Sequence, residues 1–249
     1  MKLKNKLIAM ALGGALCVGN AVQATEVDLE LQLLVDVSGS IDNTEYNLQK
    51  QGYMNAFLDS GIVNTIMSVG TFNSIAVQYV EWSSSNQQSV LVDWMQISDA
   101  ASATAFSNAI GATSRAFSNN TAIGSALAFG MTLFDNNGFE GTRNVIDVSG
   151  DGTTNDGIST SGARDAALAA GIDTINGITI GSNTVNQFYI NNVIGGTGAF
   201  SINAATFGDF SDAIIAKLDR EIRTGIPEPA TIMLFGIGLL GFVGARARA

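Results

Sequence analysis

The sequence predicts an α/β fold: a doubly wound, mostly parallel six-stranded sheet with one antiparallel edge strand and helices on both faces. Three observations predict it. The run Leu33-Leu34-Val35 is continuously apolar and ends at Asp36, as in a strand buried on both faces that delivers its last residue to the carboxyl edge of a parallel sheet. Strand-like segments alternate along the chain with segments whose apolar residues recur at helical spacing. The polar stretch from Ser83 to Gln88 is short, and so short a connection joins its flanking strands as an antiparallel hairpin.

The elements follow in order. Val27, Leu29, Leu31 and Leu33 alternate with Asp28, Glu30 and Gln32, which makes the first strand, more deeply buried towards its end. Asp42 with Glu45 three residues on is a capping pair opening a helix. Tyr46, Tyr53, Met54, Phe57 and Leu58 give that helix its apolar stripe, and Gly61 is placed to end it. Ile75–Trp82 and Ser89–Ile97 read as the hairpin strands. Asp99 caps a helix marked by Phe106, Ile110, Thr113 and Phe117; Ser118-Asn119-Asn120 breaks it, and Ile123, Leu127, Met131 and Phe134 mark the next. Asn144–Val148 is a strand whose exit is Ser149-Gly150-Asp151-Gly152. Ala163–Ala170 is an alanine-rich helix, Asp173–Ile180 a strand and Phe200–Ala204 a final strand. Phe210, Ile214, Ile215, Leu218 and Ile222 mark the closing helix.

Composition excludes several chemistries. The 249 residues contain no His, so a Ser-His-Asp triad, a His-ligated zinc and a His general base are ruled out. The single Cys is Cys17, within a segment expected to be removed, which leaves no thiol nucleophile, thiolate site or disulfide. Residues 25–226 carry seven Lys/Arg against 21 Asp/Glu, a net charge of −14. That excess argues against nucleic acid and anionic membrane surfaces as partners and is compatible with cation binding.

Both ends read as processing segments. Lys2, Lys4 and Lys6, the apolar Leu7–Gly19 and the small residues before Ala24 make residues 1–24 a secretory signal peptide for signal peptidase. At the other end Pro227-Glu228-Pro229 precedes the apolar stretch 230–245 and then Arg246 and Arg248. A stretch of 16 residues is slightly under the usual spanning length of about 17–25; the arginines place it with its end in the cytoplasm. Residues 227–249 resemble the PEP-CTERM sorting tail of Gram-negative bacteria. That resemblance implies a transient inner-membrane anchor recognised by an exosortase, and a final place at the cell surface or in an exopolysaccharide-associated biofilm matrix.

Between the ends, residues 25–226 form one domain with oxygen-bearing groups in three loops: Asp36, Ser38 and Ser40 after the first strand, Thr121 just before a helix, and Asp151 at a strand exit. Hard oxygen donors of this kind suit Mg²⁺ or Mn²⁺. The pattern resembles the von Willebrand factor A (vWA) domain, a Rossmann-like fold, and its metal-ion-dependent adhesion site (MIDAS). Asp36-x-Ser38-x-Ser40 fits the first motif, Thr121 the second and Asp151 the third. The wording of Val145–Gly152 and of Glu81-Trp82-Ser83 is nearest a bacterial branch whose function is not established. The resemblance implies direct metal contacts from Ser38, Ser40 and Thr121, with Asp36 and Asp151 acting mainly through water. The cation is then left able to take a carboxylate from a protein or matrix partner.

Asp147 competes with Asp151, but it falls inside an apolar run, where a carboxylate needs a partner such as Arg143 or Arg164. Asp156 reads as a turn residue, and Glu81 and Trp82 as packing at a strand end. An exported binding protein rather than an enzyme is the expectation. A matrix protein whose site is vestigial or only stabilising is the alternative. A metal-dependent phosphoryl hydrolase with Asp36 as nucleophile lacks cations in the three loops to clamp a phosphate.

Overall fold

A computed structural model describes residues 23–68 and 70–224. The signal peptide up to residue 22, the tail from residue 225 and its expected membrane helix 230–245 lie outside the described residues. Among the described residues no helix is long and apolar enough to cross a membrane.

The elements run β1 (Thr25–Val27), β2 (Leu29–Asp36), α1 (Asn43–Leu58), α2 (Ser60–Ser68), β3 (Ile75–Trp82), β4 (Gln88–Ile97), α3 (Ala100–Ala112), α4 (Ile123–Gly130), β5 (Phe139–Gly141), β6 (Asn144–Gly150), α5 (Thr160–Ala169), β7 (Thr174–Ile180), α6 (Asn183–Asn192), β8 (Gly195–Gly196), β9 (Ser201–Ala204) and α7 (Phe210–Arg223). The sheet order is β4-β3-β2-β6-β7, with β8 and β9 both on the far side of β7. β2 pairs in parallel with β3 and β6, β6 with β7, and β7 with β9, while β4 is the antiparallel edge. The six expected strands are all present. A seventh, the two-residue β8, runs antiparallel to the start of β7, where β9 does not reach. β1 and β5 form a separate parallel pair.

Every residue of β2, β3 and β7 is buried. This is the pattern of strands covered on both faces, and the polar side chains it buries, such as Gln32, Gln78 and Asn176, are hydrogen-bonded. On one face α1, α3 and α7 pack Tyr53, Phe57, Phe106, Phe210, Ile214 and Leu218 against Leu31, Leu33 and Val35. On the other, α4, α5 and α6 pack Ile123, Leu127, Ala167 and Tyr189 against Leu34, Ile146 and Val148.

Local signals hold at several ends. Asp42 and Glu45 form a full capping box at α1, with Asp42 accepting from the backbone N of Thr44 and Glu45. Asp99 caps α3. Two readings need correction, and one helix was not predicted. Gly61 does not end the first helix: α1 stops at Leu58, and Gly61 lies in the first turn of α2. α3 ends at Ala112, so Thr113 and Phe117 follow it in an irregular connection, because buried Glu81 and Arg115 hold that stretch by its backbone. The helix α6 is not visible as an apolar stripe. Only Val185 and Tyr189 are buried along its length, and Ser182 starts it by accepting from the Val185 N–H.

Candidate metal centre

The carboxyl edge of the sheet gathers the three loops. β2 ends at Asp36, opposite Trp82 of β3, and residues 37–41 lead to α1. That loop is tied on several sides. Val37 N donates to Trp82 O (2.9 Å) and Gly39 N to Asn119 O (2.6 Å). A Cβ on Gly39 would sit 3.2 Å from that same carbonyl, so glycine permits the approach. The Gln49 side chain donates to Asp36 O at 3.0 Å.

The side-chain oxygens then form a connected row. Thr121 Oγ1 donates to Ser38 Oγ (3.1 Å), Ser38 Oγ lies 3.2 Å from Ser40 Oγ, and Ser40 Oγ donates to Asp151 Oδ1 (2.7 Å). Asp36 Oδ1 accepts from the Ser38 backbone N (2.7 Å), while Asp36 Oδ2 is buried and has no hydrogen-bond partner. Asp36, Ser38 and Thr121 are buried, whereas Ser40 is exposed and Asp151 half-buried, so the row opens to solvent at the Ser40–Asp151 end. A hollow of about 560 Å³ adjoins it, lined by Glu45, Leu48, Asp151, Ser182, Thr206 and Phe207 among others. All five expected residues are therefore brought together from loops far apart in sequence.

The electrostatics match that geometry. Burial, reinforced by Asp151, pushes the Asp36 carboxyl up to about 7 against the pull of the Ser38 hydrogen bonds and Arg115. Burial also raises Asp151, opposed by its bond from Ser40 and helped by Glu45. A buried carboxylate with a free oxygen and no salt-bridged cation takes up either a proton or a metal ion. The donor set is all oxygen, three neutral hydroxyls and two carboxylates, which fits a hard divalent cation. Among the described residues no group of three or more His, Cys, Asp or Glu is placed to hold a metal ion.

Several contributors were not foreseen. Arg115, from the connection after α3, donates through Nη2 to the carbonyls of Val37, Ser38 and Ile41 at 2.8–2.9 Å and packs over the Tyr46 ring. One guanidinium thus fixes the first loop. Its only signal in the sequence is that it is the sole basic residue between Lys50 and Arg143. Asn155 accepts from Thr121 N (2.8 Å) and donates back from its own N to Thr121 O (2.9 Å), which fixes the second loop on the third. At Gly150 a Cβ would stand 2.8 Å from Asp36 Oδ2 and would collide with the Tyr189 hydroxyl. Glu81 accepts from Tyr46 Oη (2.9 Å) and Ala116 N (2.8 Å), an anchor under the loops. Asp156 serves its turn, accepting from Ser85 N and Gly157 N. Asp147 stands apart from the row. Its partner is Lys217, 2.6 Å away, and neither Arg143, which donates to Glu221 O, nor Arg164, which pairs with Asp165.

Comparison with known proteins agrees with this architecture. Among solved structures, the mussel byssus proximal thread matrix protein 1 with a zinc-occupied MIDAS motif is 15% identical with a TM-score of 0.58, over 81% of this chain and 49% of that one. The open conformation of the pilus adhesin SpaC of Lactobacillus rhamnosus GG is 15% identical with a TM-score of 0.56, over 82% and 31%. The SpRpn10 VWA domain is 14% identical with a TM-score of 0.51, over 81% and 100%. The chain therefore spans about half of the mussel protein and about a third of the adhesin. No curated protein matches it. Residues 225–249 match the PEP-CTERM protein-sorting motif. Residues 26–226 match the family described as "Protein of unknown function (DUF1194)", and the chain belongs to that family, with a vWA-like domain and a PEP-CTERM motif at its C-terminus.

Proposed function

We propose that this chain is an exported, surface- or matrix-associated binding protein, not an enzyme. In this reading Asp36, Ser38, Ser40, Thr121 and Asp151 hold Mg²⁺ or Mn²⁺, and the cation engages an acidic group of a protein or matrix partner. The observation that carries the reading is the row of oxygens at the carboxyl edge, with Asp36, bonded to Ser38 N, keeping a buried carboxylate oxygen without a hydrogen-bond partner. Ser38, Ser40 and Thr121 are neutral. As the direct ligands, with Asp36 and Asp151 acting through water, they leave the ion with positive charge to share with an incoming carboxylate. Residues 1–24 are removed by signal peptidase, residues 25–226 are the functional domain, and 227–249 is the sorting tail. Its helix 230–245 anchors the chain transiently in the inner membrane until exosortase processing releases it to the surface or matrix.

A second reading has its own support. The hydroxyls already satisfy one another and Asp151, so the row can close without an ion, as a vestigial or purely stabilising site would. The melting midpoint of residues 25–226 in EDTA, Mg²⁺, Mn²⁺ and Ca²⁺ separates the two. A cation at 100 times its dissociation constant adds about 2.7 kcal/mol of stability, a shift of several degrees. The expected result is a shift with Mg²⁺ or Mn²⁺ that Ser38→Ala and Asp151→Ala abolish. A shift that survives in both variants, or none at millimolar cation, favours the second reading.

A further inference from the structure

The most unusual group outside the metal centre is a dry cluster under α7. Asp147 of β6 and Lys217 of α7 are fully buried, and Glu221, one turn beyond Lys217, is 1% exposed. Lys217 Nζ contacts Glu221 Oε1 and lies 2.6 Å from Asp147 Oδ1. It also stands 5.5 Å from the centre of the Phe200 ring. The contact with Asp147 is close yet not aligned as a hydrogen bond, for both Asp147 oxygens lack a hydrogen-bond partner, as does Glu221 Oε2. With a C–O bond of about 1.2 Å, the Lys217 nitrogen is within about 4 Å of the Asp147 carboxyl carbon. Neighbouring polar groups do not change the balance. Asn176 donates to Glu221 Oε1 at 2.7 Å and accepts from Phe200 N, so both ends of its amide are engaged. Arg143 reaches the backbone carbonyl of Glu221. The hydroxyls of Tyr53 and Ser149 have no hydrogen-bond partner.

We infer that Lys217 and Asp147 are the two ends of an intramolecular isopeptide bond, formed with Glu221 as the proton donor and acceptor. Burial raises the Asp147 carboxyl against the pull of Lys217. A lysine amine is a nucleophile, and holding it against the carboxyl in a water-free core replaces the high concentration that amide formation otherwise needs. In the step, Nζ attacks Cγ of Asp147, and Glu221 relays protons from the nitrogen to the departing oxygen, which leaves as water. A C–N bond forms, a C–O bond breaks, one water leaves, Glu221 ends as it began, and nothing is oxidised or reduced. Asn176 is the poorer electrophile because its amide is already held and Nζ touches Asp147. The product ties the central β6 to the last helix, in a chain whose single Cys precludes a disulfide.

The test is a peptide map of the purified full chain, denatured and digested with trypsin. The expected result is a branched peptide joining the Asp147 and Lys217 segments, one water lighter than the two linear peptides together, with no cleavage after Lys217. Asp147→Ala is expected to give linear peptides only, and Asp147→Asn the same branched peptide, formed with loss of ammonia. Cleavage after Lys217 in the folded wild-type protein, with linear peptides alone, overturns the inference and leaves an ion pair. A branched peptide in Glu221→Gln overturns the role of Glu221. The wild-type map stands by itself should a variant fail to fold.

Discussion

Asp36 and Asp147 are both fully buried aspartates, on the neighbouring central strands β2 and β6. Leu33 lies opposite Asp147 in the pairing of these strands, and Asp36 ends β2 three residues further on. Asp147 sits within its strand, where α7 covers the sheet and brings Lys217 and Glu221 onto it. Asp36 ends its strand, where helices give way to loops, and accepts from Ser38 N beside a row of hydroxyls that leads out to Asp151 and an open hollow. Burial raises both carboxyls. The interior one has its partner built into the fold, whereas the edge one leaves an oxygen free for something that arrives from solvent. The same residue type, a few residues apart along adjacent strands, is thus structural in one place and receptive in the other.

The largest test of this contrast is Lys217→Met. It removes the partner of Asp147 and leaves two carboxyls buried, which is expected to cost about 3–5 kcal/mol in urea unfolding. A cost below about 1 kcal/mol would mean that the cluster does not depend on Lys217 and that the two sites do not differ as argued.

Asp36→Asn is expected to act in the opposite direction. The Asp36 carboxyl titrates at about 7 in the folded protein against a reference value of 3.8. Between those values the folded state holds more protons than the unfolded one, so this group makes stability fall as pH rises, with the full penalty above pH 7. In EDTA at pH 8 the variant is therefore expected to be more stable than wild type by about 1–3 kcal/mol. Protons and cations compete for Asp36, and Asp151 is raised as well. The stabilisation by Mg²⁺ should accordingly be larger at pH 8 than at pH 5.5 in the wild-type protein, and absent in the variant. Equal Mg²⁺ shifts at the two pH values would separate Asp36 from the cation.

The smallest effect on folding is expected from Ser40→Ala. Ser40 is exposed, and its loss should change stability in EDTA by under about 1 kcal/mol. Its bond to Asp151 joins the first and third loops, however, so the dissociation constant for Mg²⁺ measured by calorimetry should rise about tenfold, or about 1.4 kcal/mol.

Much of this was legible in the sequence, for a local physical reason. Strands buried on both faces are rich in aliphatic and aromatic residues, so apolar stretches such as Leu33-Leu34-Val35 mark β2, and Asp36 at its end marks the edge. Asp42 with Glu45 wrote the start of α1 because a capping box is made by residues three apart. What depends on partners distant in the chain was not legible. α6 buries only Val185 and Tyr189, too few for a stripe. The backbone after Ala112 leaves the helix where Glu81, from β3, accepts from Ala116 N and Arg115 reaches across to the loop after β2. Asp147 was recognised as needing a cation, but Arg143 and Arg164 are nearer in sequence than Lys217, and sequence distance says little about which side chain α7 lays on β6.

The sequence by itself determined the order of strand and helix segments, the five oxygen-bearing residues and the absence of imidazole chemistry. These rest on residue identity and on spacings of a few positions. The tertiary structure alone decided that Thr121, Ser38, Ser40 and Asp151 form one row, that Arg115 and Asn155 hold its loops, and that Asp147 meets Lys217 rather than an arginine. Each of those depends on segments 34 to 111 residues apart being brought within hydrogen-bond reach, and only packing of the helices on the sheet fixes which groups then face one another.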